Sequence, residues 1–198
     1  MWVYLWTEGI TFDFQNDWDL GWTWFTKWGT SAFASWEWRY ISDATTSNNN
    51  QTAIVPPQTM FDNRTLTRIK IWLYKKNAIA TDKGVWVWPC TDKNLAGALA
   101  IWSTGSWNWG NPQANVYDGN SDHKTNTADA TWEITQEWLF NDDWTLTLIL
   151  NWSNTYNLWS YASVFRTSWT NKTFCLNIGS WGVANDWIRV RKVEIETV

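Results

Sequence analysis

Leu146, Leu148 and Leu150 alternate with Thr145, Thr147 and Asn151 in the run Trp-Thr-Leu-Thr-Leu-Ile-Leu-Asn-Trp of residues 144–152. A two-residue period puts the leucines on one face of a strand and the polar side chains on the other. Thr145, Thr147 and Thr155 oppose a helix, and no apolar stripe recurs at three and four residues. Ile149 interrupts the polar face, so both sides of this strand are expected to be partly covered. Asn-Trp-Ser-Asn-Thr, residues 151–155 around Ser153 and Asn154, carries short polar side chains suited to a turn, after which aromatic and β-branched residues resume through 162. Residues 144–162 therefore read as a long antiparallel hairpin. Such a hairpin is marginal alone in water, and its leucine face requires a second sheet to cover it.

The same period recurs along the chain. Ile10, Phe12 and Phe14 alternate with Thr11 and Asp13, and Ala34, Trp36, Trp38 and Tyr40 alternate with Ser35, Glu37 and Arg39. Within 66–74, Ile69, Ile71 and Leu73 form a core face opposite Arg68, Lys70 and Trp72, whose basic stems are expected to cover the indole from the solvent side. In 187–197 the apolar parity changes between Val190 and Val193, so a β-bulge is expected near Lys192. Residues 131–140 read as a strand, or as a strand ending in a short helix. Residues 42–51 read as a surface loop within a longer excursion, 42–65, 117–129 as a polar, flexible connection, and 179–185 as a loop containing Trp181. The pattern predicts about 11 to 13 strands, no helix of ordinary length and no repeat of fixed period. The expected fold is one all-β domain over 1–198, an antiparallel two-sheet β-sandwich of jelly-roll type.

Tryptophan is the abnormal component, 22 of 198 residues, beside 6 Tyr and 8 Phe. With Leu, Ile and Val too few to be the whole core, indoles are expected to fill much of it, each burying roughly 150–250 Å². A buried indole N–H also needs a partner, which favours sheet edges, interfaces and ligand grooves for many of them. The formal net charge of −4 gives no basis for nucleic-acid binding. No apolar run approaches a membrane span, and no leader segment is read at the N-terminus. Cys90 and Cys175 form either a disulfide closing a loop of roughly 86 residues or two free buried thiols; nothing in their spacing resembles a metal site.

The tail Asn185-Asp186-Trp187-Ile188-Arg189-Val190-Arg191-Lys192 resembles the closing strand of concanavalin A-like, laminin-G-type sandwiches, in which a final segment returns near the first strand. The hairpin 144–162 looks like the late core of that superfamily, and 10–14 like its early strand. The resemblance implies a module that binds carbohydrate, in some members with calcium. In the glucanase branch it implies closely spaced acidic residues on one strand, and Glu133 and Glu137 are the nearest equivalent. On a strand these two share a face about 13 Å apart at 3.3 Å per residue, wider than the roughly 5–9 Å of a glycosidase pair.

The candidate ligand residues are loop aromatics. Residues 104–111 carry Trp107 and Trp109 among Ser106, Asn108 and Asn111, where rings have less core to hide in. An indole stacks on the C–H face of a pyranose while amides bond its hydroxyls. Trp22, Trp24 and Trp28, of equal parity, extend the platform. Core packing or an oligomer interface is the competing role for any one of these rings. Asp118, Asn120 and Asp122 alternate as in a calcium loop but lack its distal glutamate; hydrated turn acids are the alternative. His123, the sole histidine, has no nucleophile near it in sequence. Two readings follow. One is a noncatalytic carbohydrate-binding or adhesive module whose partner is a glycan or polysaccharide. The other is a structural assembly protein of a virion or surface filament, a homo-oligomer with Trp-rich interfaces. Either places the chain outside the cell or on a virion surface. An enzyme ranks third, because no acid, base, nucleophile and metal set converges.

Overall fold

The computed structural model describes residues 8–13, 23–28, 50–55, 64–75, 84–90, 101–105, 113–117, 122–126, 132–143, 145–158, 175–181 and 188–198. These form thirteen strands: β1 (Glu8–Asp13), β2 (Thr23–Trp28), β3 (Asn50–Val55), β4 (Leu66–Lys75), β5 (Gly84–Cys90), β6 (Ile101–Gly105), β7 (Gln113–Tyr117), β8 (Asp122–Asn126), β9 (Trp132–Phe140), β10 (Leu146–Leu150), β11 (Asn154–Leu158), β12 (Cys175–Trp181) and β13 (Ile188–Thr197). Among the described residues there is no helix, so none is long and apolar enough to cross a membrane.

The strands make two antiparallel sheets packed as a β-sandwich, one of six strands ordered β1-β13-β4-β9-β10-β11 and one of seven ordered β2-β3-β12-β5-β6-β7-β8. The six-stranded sheet is built on the alternation seen in the sequence. Ile69, Ile71 and Leu73 of β4, Ile134, Trp138 and Phe140 of β9, Leu146, Leu148 and Leu150 of β10, and Val190, Val193 and Ile195 of β13 are all buried, with Phe12 of β1 beside them. Intermediate burial of Thr147 and Ile149 completes the expected pattern in β10. The leucine hairpin is not central, however. β11 is an edge strand, and the middle of the sheet is β13-β4-β9.

Two details fix which residues face inward. In β13, Val190 pairs with Leu73 and Lys192 with Trp72, which leaves Arg191 as an inserted residue. This is the bulge expected near Lys192, and it returns Val193 and Ile195 to the face used by Val190. β9 is extended throughout, paired to β4 from Trp132 to Leu139 and to β10 from Gln136 to Phe140, so no helix ends it. The chain's last residues are also tied in, since Thr65 and Val198 exchange backbone hydrogen bonds of 2.7 and 2.9 Å.

Three segments depart from the sequence expectation. Residues 50–55, placed in the 42–65 excursion, form β3; 122–126, placed in a flexible connection, form β8; and Trp181, expected in a loop, closes β12. β8 reads Asp-His-Lys-Thr-Asn and carries no apolar alternation, because it is an edge strand held by its ladder to β7. Among the described residues, Trp138 is the one indole of the fourteen buried apolar side chains; most of the tryptophans on which the expectation of an indole-filled core rests lie outside the described side chains.

Gln136 is the exception within that dry face. It is fully buried, and neither its Nε2 nor its Oε1 finds a hydrogen-bond partner among the described residues; Trp138 Nε1 is in the same position. An unpaired buried amide costs about 1–3 kcal/mol relative to a bonded one. Gln136→Leu should therefore raise stability by about 1 kcal/mol, whereas Leu148→Ala on the neighbouring strand should lower it by about 2–5 kcal/mol. Urea titrations of the two variants check both signs.

Candidate functional site

The antiparallel order of the seven-stranded sheet determines which connections meet. β2 and β6 are four strand steps apart and run in the same direction, as does β12 between them. The ends of β2 at Trp28, β12 at Trp181 and β6 at Gly105 thus lie along one end of the sheet, with the starts of β3, β5 and β7. The connection 106–112, which bears Trp107, Asn108, Trp109 and Asn111, leaves and re-enters the sheet at that end. Those four residues lie outside the described residues, as does Trp22. At about 4.8 Å per strand step, β12 is about 10 Å and β2 about 19 Å from β6.

β2 does not carry its tryptophans in simple alternation. Thr26 pairs with Thr52 and Trp28 with Gln51, so one residue is inserted between two successive rungs. The parity count that groups Trp24 with Trp28 does not carry across this slip. β2 begins at Thr23, at the opposite end of the sheet from Trp28. Of the two tryptophans in β2, Trp28 and not Trp24 therefore lies at the end shared with the 106–112 connection. Trp181 is nearer to that connection than either, a position no local pattern reveals because it depends on β12 lying two strands from β6.

The candidate metal residues sit elsewhere. Asp122 opens β8 opposite Tyr117, and Asp118 and Asn120 fall in the preceding connection, outside the described residues. That connection is at the other end of the sheet, about 14 Å along β7 from the 106–112 connection. Among the described residues, no group of three or more His, Cys, Asp or Glu side chains converges as a metal site. His123 lies in β8 paired with Val116.

The outer face of the six-stranded sheet is a charged and aromatic lattice. Arg68 bonds Glu137 and Glu196, both at 2.5 Å, and lies 3.6 Å from Glu194. Lys70 pairs with Glu137 at 3.5 Å, Lys192 with Glu194 at 2.7 Å and Arg191 with Glu133 at 3.4 Å. Burial pulls the Arg68 guanidinium down, but Glu137 and Glu196 outweigh it and hold the group above its ordinary range. Among the described ion pairs of this face, four cations meet four carboxylates, so these groups carry no net charge. Glu133 and Glu137 are engaged with different arginines rather than with each other.

Trp152 is the residue of this face that sequence reading passed over as turn material. The hairpin closes with Leu150 C=O accepting from Ser153 N–H at 3.2 Å, and the two residues between, Asn151 and Trp152, have φ of 49° and 66°. Asn tolerates this left-handed conformation, but for Trp it costs roughly 1–2 kcal/mol. Asn151 holds the turn against β9: its Oδ1 accepts from Thr135 N–H and its own N–H donates to Thr135 C=O, both at 3.0 Å. The Trp152 ring then lies over Lys70 Nζ, 3.4 Å from the ring centroid, with Trp72 at 5.0 Å from the same ammonium and 4.5 Å from Lys192. Lys70 was expected to face solvent, and it is instead 4 % exposed under this indole while Trp152 itself remains 68 % exposed. Its signal in the sequence is the one used for Trp107 and Trp109, a ring in a turn with no core beneath it.

The sequence matches no known protein family and no curated protein. Its structure is similar to several solved ones. The Emp47p carbohydrate recognition domain aligns over 92 % of each chain with 10 % identity and a TM-score of 0.60. Peanut lectin aligns over 98 % of each chain with 6 % identity and a TM-score of 0.65. The Crh5 transglycosylase aligns over 95 % of this chain and 83 % of its own, with 12 % identity and a TM-score of 0.59. The fold is the concanavalin A-like jelly roll. That architecture serves lectins and a transglycosylase alike, so function has to be argued from the site.

The Lys70 and Trp152 contact can be weighed directly. A double-mutant cycle of Lys70→Ala and Trp152→Ala should return a coupling of about 0.5–2 kcal/mol, the range between an exposed and a desolvated cation–π pair, since the lysine is buried and the ring is not. A coupling near zero in urea unfolding would mean that the ring only rests on the surface.

Proposed function

We propose that this chain is a noncatalytic carbohydrate-binding module, extracellular or on a virion surface, and adhesive in the sense that it attaches to a glycan or polysaccharide. The observation that carries this reading is topological. Strand order brings the 106–112 connection, Trp181 and Trp28 to one end of the seven-stranded sheet. In this reading Trp107 and Trp109 stack on the C–H faces of pyranose rings while Asn108 and Asn111 bond the hydroxyls, and Trp181 extends the surface inward. Support comes from the architecture shared with the Emp47p carbohydrate recognition domain and peanut lectin over nearly the whole chain. Trp22 and Trp24 are lesser contributors, because the register slip in β2 and the direction of that strand separate them from this end.

Calcium, in this proposal, is held by Asp118, Asn120 and Asp122, which supply only part of the six to eight oxygens it takes. A potassium-bound form is known for the related fold of the Emp46p carbohydrate recognition domain. Because the 118–121 connection is at the far end of the sheet, such an ion braces β7 and β8 rather than touching sugar.

Titration against a glycan and polysaccharide panel, followed by tryptophan fluorescence and calorimetry, tests the assignment. Saturable binding is expected, abolished in the Trp107→Ala/Trp109→Ala double variant with folding preserved. Trp181→Ala should weaken it roughly tenfold, about 1.4 kcal/mol, while Trp24→Ala leaves it within about twofold. Chelation or Asp122→Ala should lower Tm and leave sugar affinity unchanged. No binding across the panel with and without calcium, together with ordered homo-oligomers in light scattering, would replace this reading with the assembly protein.

A further inference from the structure

The two cysteines, 85 positions apart in sequence, are brought opposite each other. β12 and β5 are antiparallel neighbours in the middle of the seven-stranded sheet, and their register pairs Cys175 with Cys90 as its outermost rung. Directly opposed residues of an antiparallel pair have Cα atoms about 4.5–5.5 Å apart and share a face of the sheet. Both spacings fall inside the roughly 4.4–6.8 Å that a disulfide spans. The neighbouring rung pairs Leu176 with Pro89, and Pro89 has no N–H to give to a ladder. The cysteine rung lies at the sheet end where the connections 91–100 and 159–174 meet β5 and β12.

We propose that Cys90 and Cys175 form a cross-strand disulfide that secures this end of the β5–β12 pair, and that the protein works in an oxidising compartment. This rests on backbone register and stands whether or not the chain binds sugar. The reaction is an exchange with a low-molecular-weight disulfide such as oxidised glutathione. One cysteine thiolate attacks the glutathione S–S bond, releasing one glutathione thiol and leaving a mixed disulfide. The second thiolate attacks the protein sulfur of that mixed disulfide, closing the protein S–S bond and releasing the second glutathione thiol. The protein loses two electrons and two protons, and the oxidant gains them. The bond spans the central strand pair and closes a loop of roughly 86 residues, the long-loop case in which cross-linking restricts the unfolded chain most.

The full chain, equilibrated with oxidised glutathione and then denatured in guanidinium, is alkylated and weighed. No alkylated thiol, an intact mass lower than the reduced chain by two hydrogens, and a proteolytic fragment joining the Cys90 and Cys175 peptides are expected. Two alkylated thiols, a glutathione adduct on either cysteine, or a disulfide-linked dimer would overturn the assignment. Thermal melts of the same sample with and without a reductant give the second readout. Reduction should lower Tm by roughly 5–15 °C. A bond that forms and yet leaves Tm unmoved on reduction would overturn its role in holding the sheet.

Discussion

Exclusion of water from one face of the six-stranded sheet is the constraint on which the rest depends. Ile69, Ile71, Leu73, Leu146, Leu148, Val193 and Ile195 are fully buried there, and a sheet face of that kind is stable only under a second layer. The requirement fixes register, because a slip of one residue would turn every one of these side chains to solvent. It also explains the inserted Arg191. Val190 and Val193 have opposite parity in sequence, and only a bulge lets both point inward. The seven-stranded sheet, with its connections, is positioned by the need to cover this face.

What was legible in the sequence follows from the same physics. Where a strand is buried on one face and wet on the other, as in β4, β10 and β13, the alternation announces it. Even the bulge is visible, because apolar residues mark the parity on either side of it. β8 was not legible, since Asp122, His123 and Lys124 lie in an edge strand whose ladder needs no apolar side chain. β3 was hidden for a related reason. It begins in an Asn-rich run whose composition argues for a turn, and only pairing with β2 and β12 makes it extended. The burial of Lys70 was hidden because its cover, Trp152, comes from a turn about eighty residues away in sequence. The candidate site was legible as a set of residue types, and not as a place. Trp107, Trp109 and Asn111 stand out locally, whereas the joining of Trp181 to their end of the sheet depends on strand order.

The outer face of the six-stranded sheet shows how the fold handles a surface rich in charge. Arg68 is shared among three glutamates, and Lys70 is held between Glu137 and two indoles. These side chains are only 6–35 % exposed, so the attraction within each pair is offset by the cost of taking its charges out of water. Together they neutralise the face, and they give Trp72 and Trp152 a defined position over cations rather than leaving them as loose apolar surface. The left-handed conformation at Trp152 is kept because two bonds from Asn151 to Thr135 and the contact with Lys70 over-determine the turn.

The tryptophan surplus now reads differently than composition alone implies. Three indoles have described side chains. Trp138 is buried, Trp72 is half-covered by lysines, and Trp152 is exposed. Aliphatic residues supply most of the described core, and packing there accounts for one indole, Trp138. An indole costs more to expose than an aliphatic side chain of smaller area, and an exposed one needs a reason beyond filling space. Stacking on a flat, partly apolar ligand supplies such a reason, because the ring's π face is useful only when it is not already covered. On this argument, the proposed recognition role falls to tryptophans that strand order delivers to connections, and Trp107 and Trp109 sit two residues apart in one such connection, between β6 and β7.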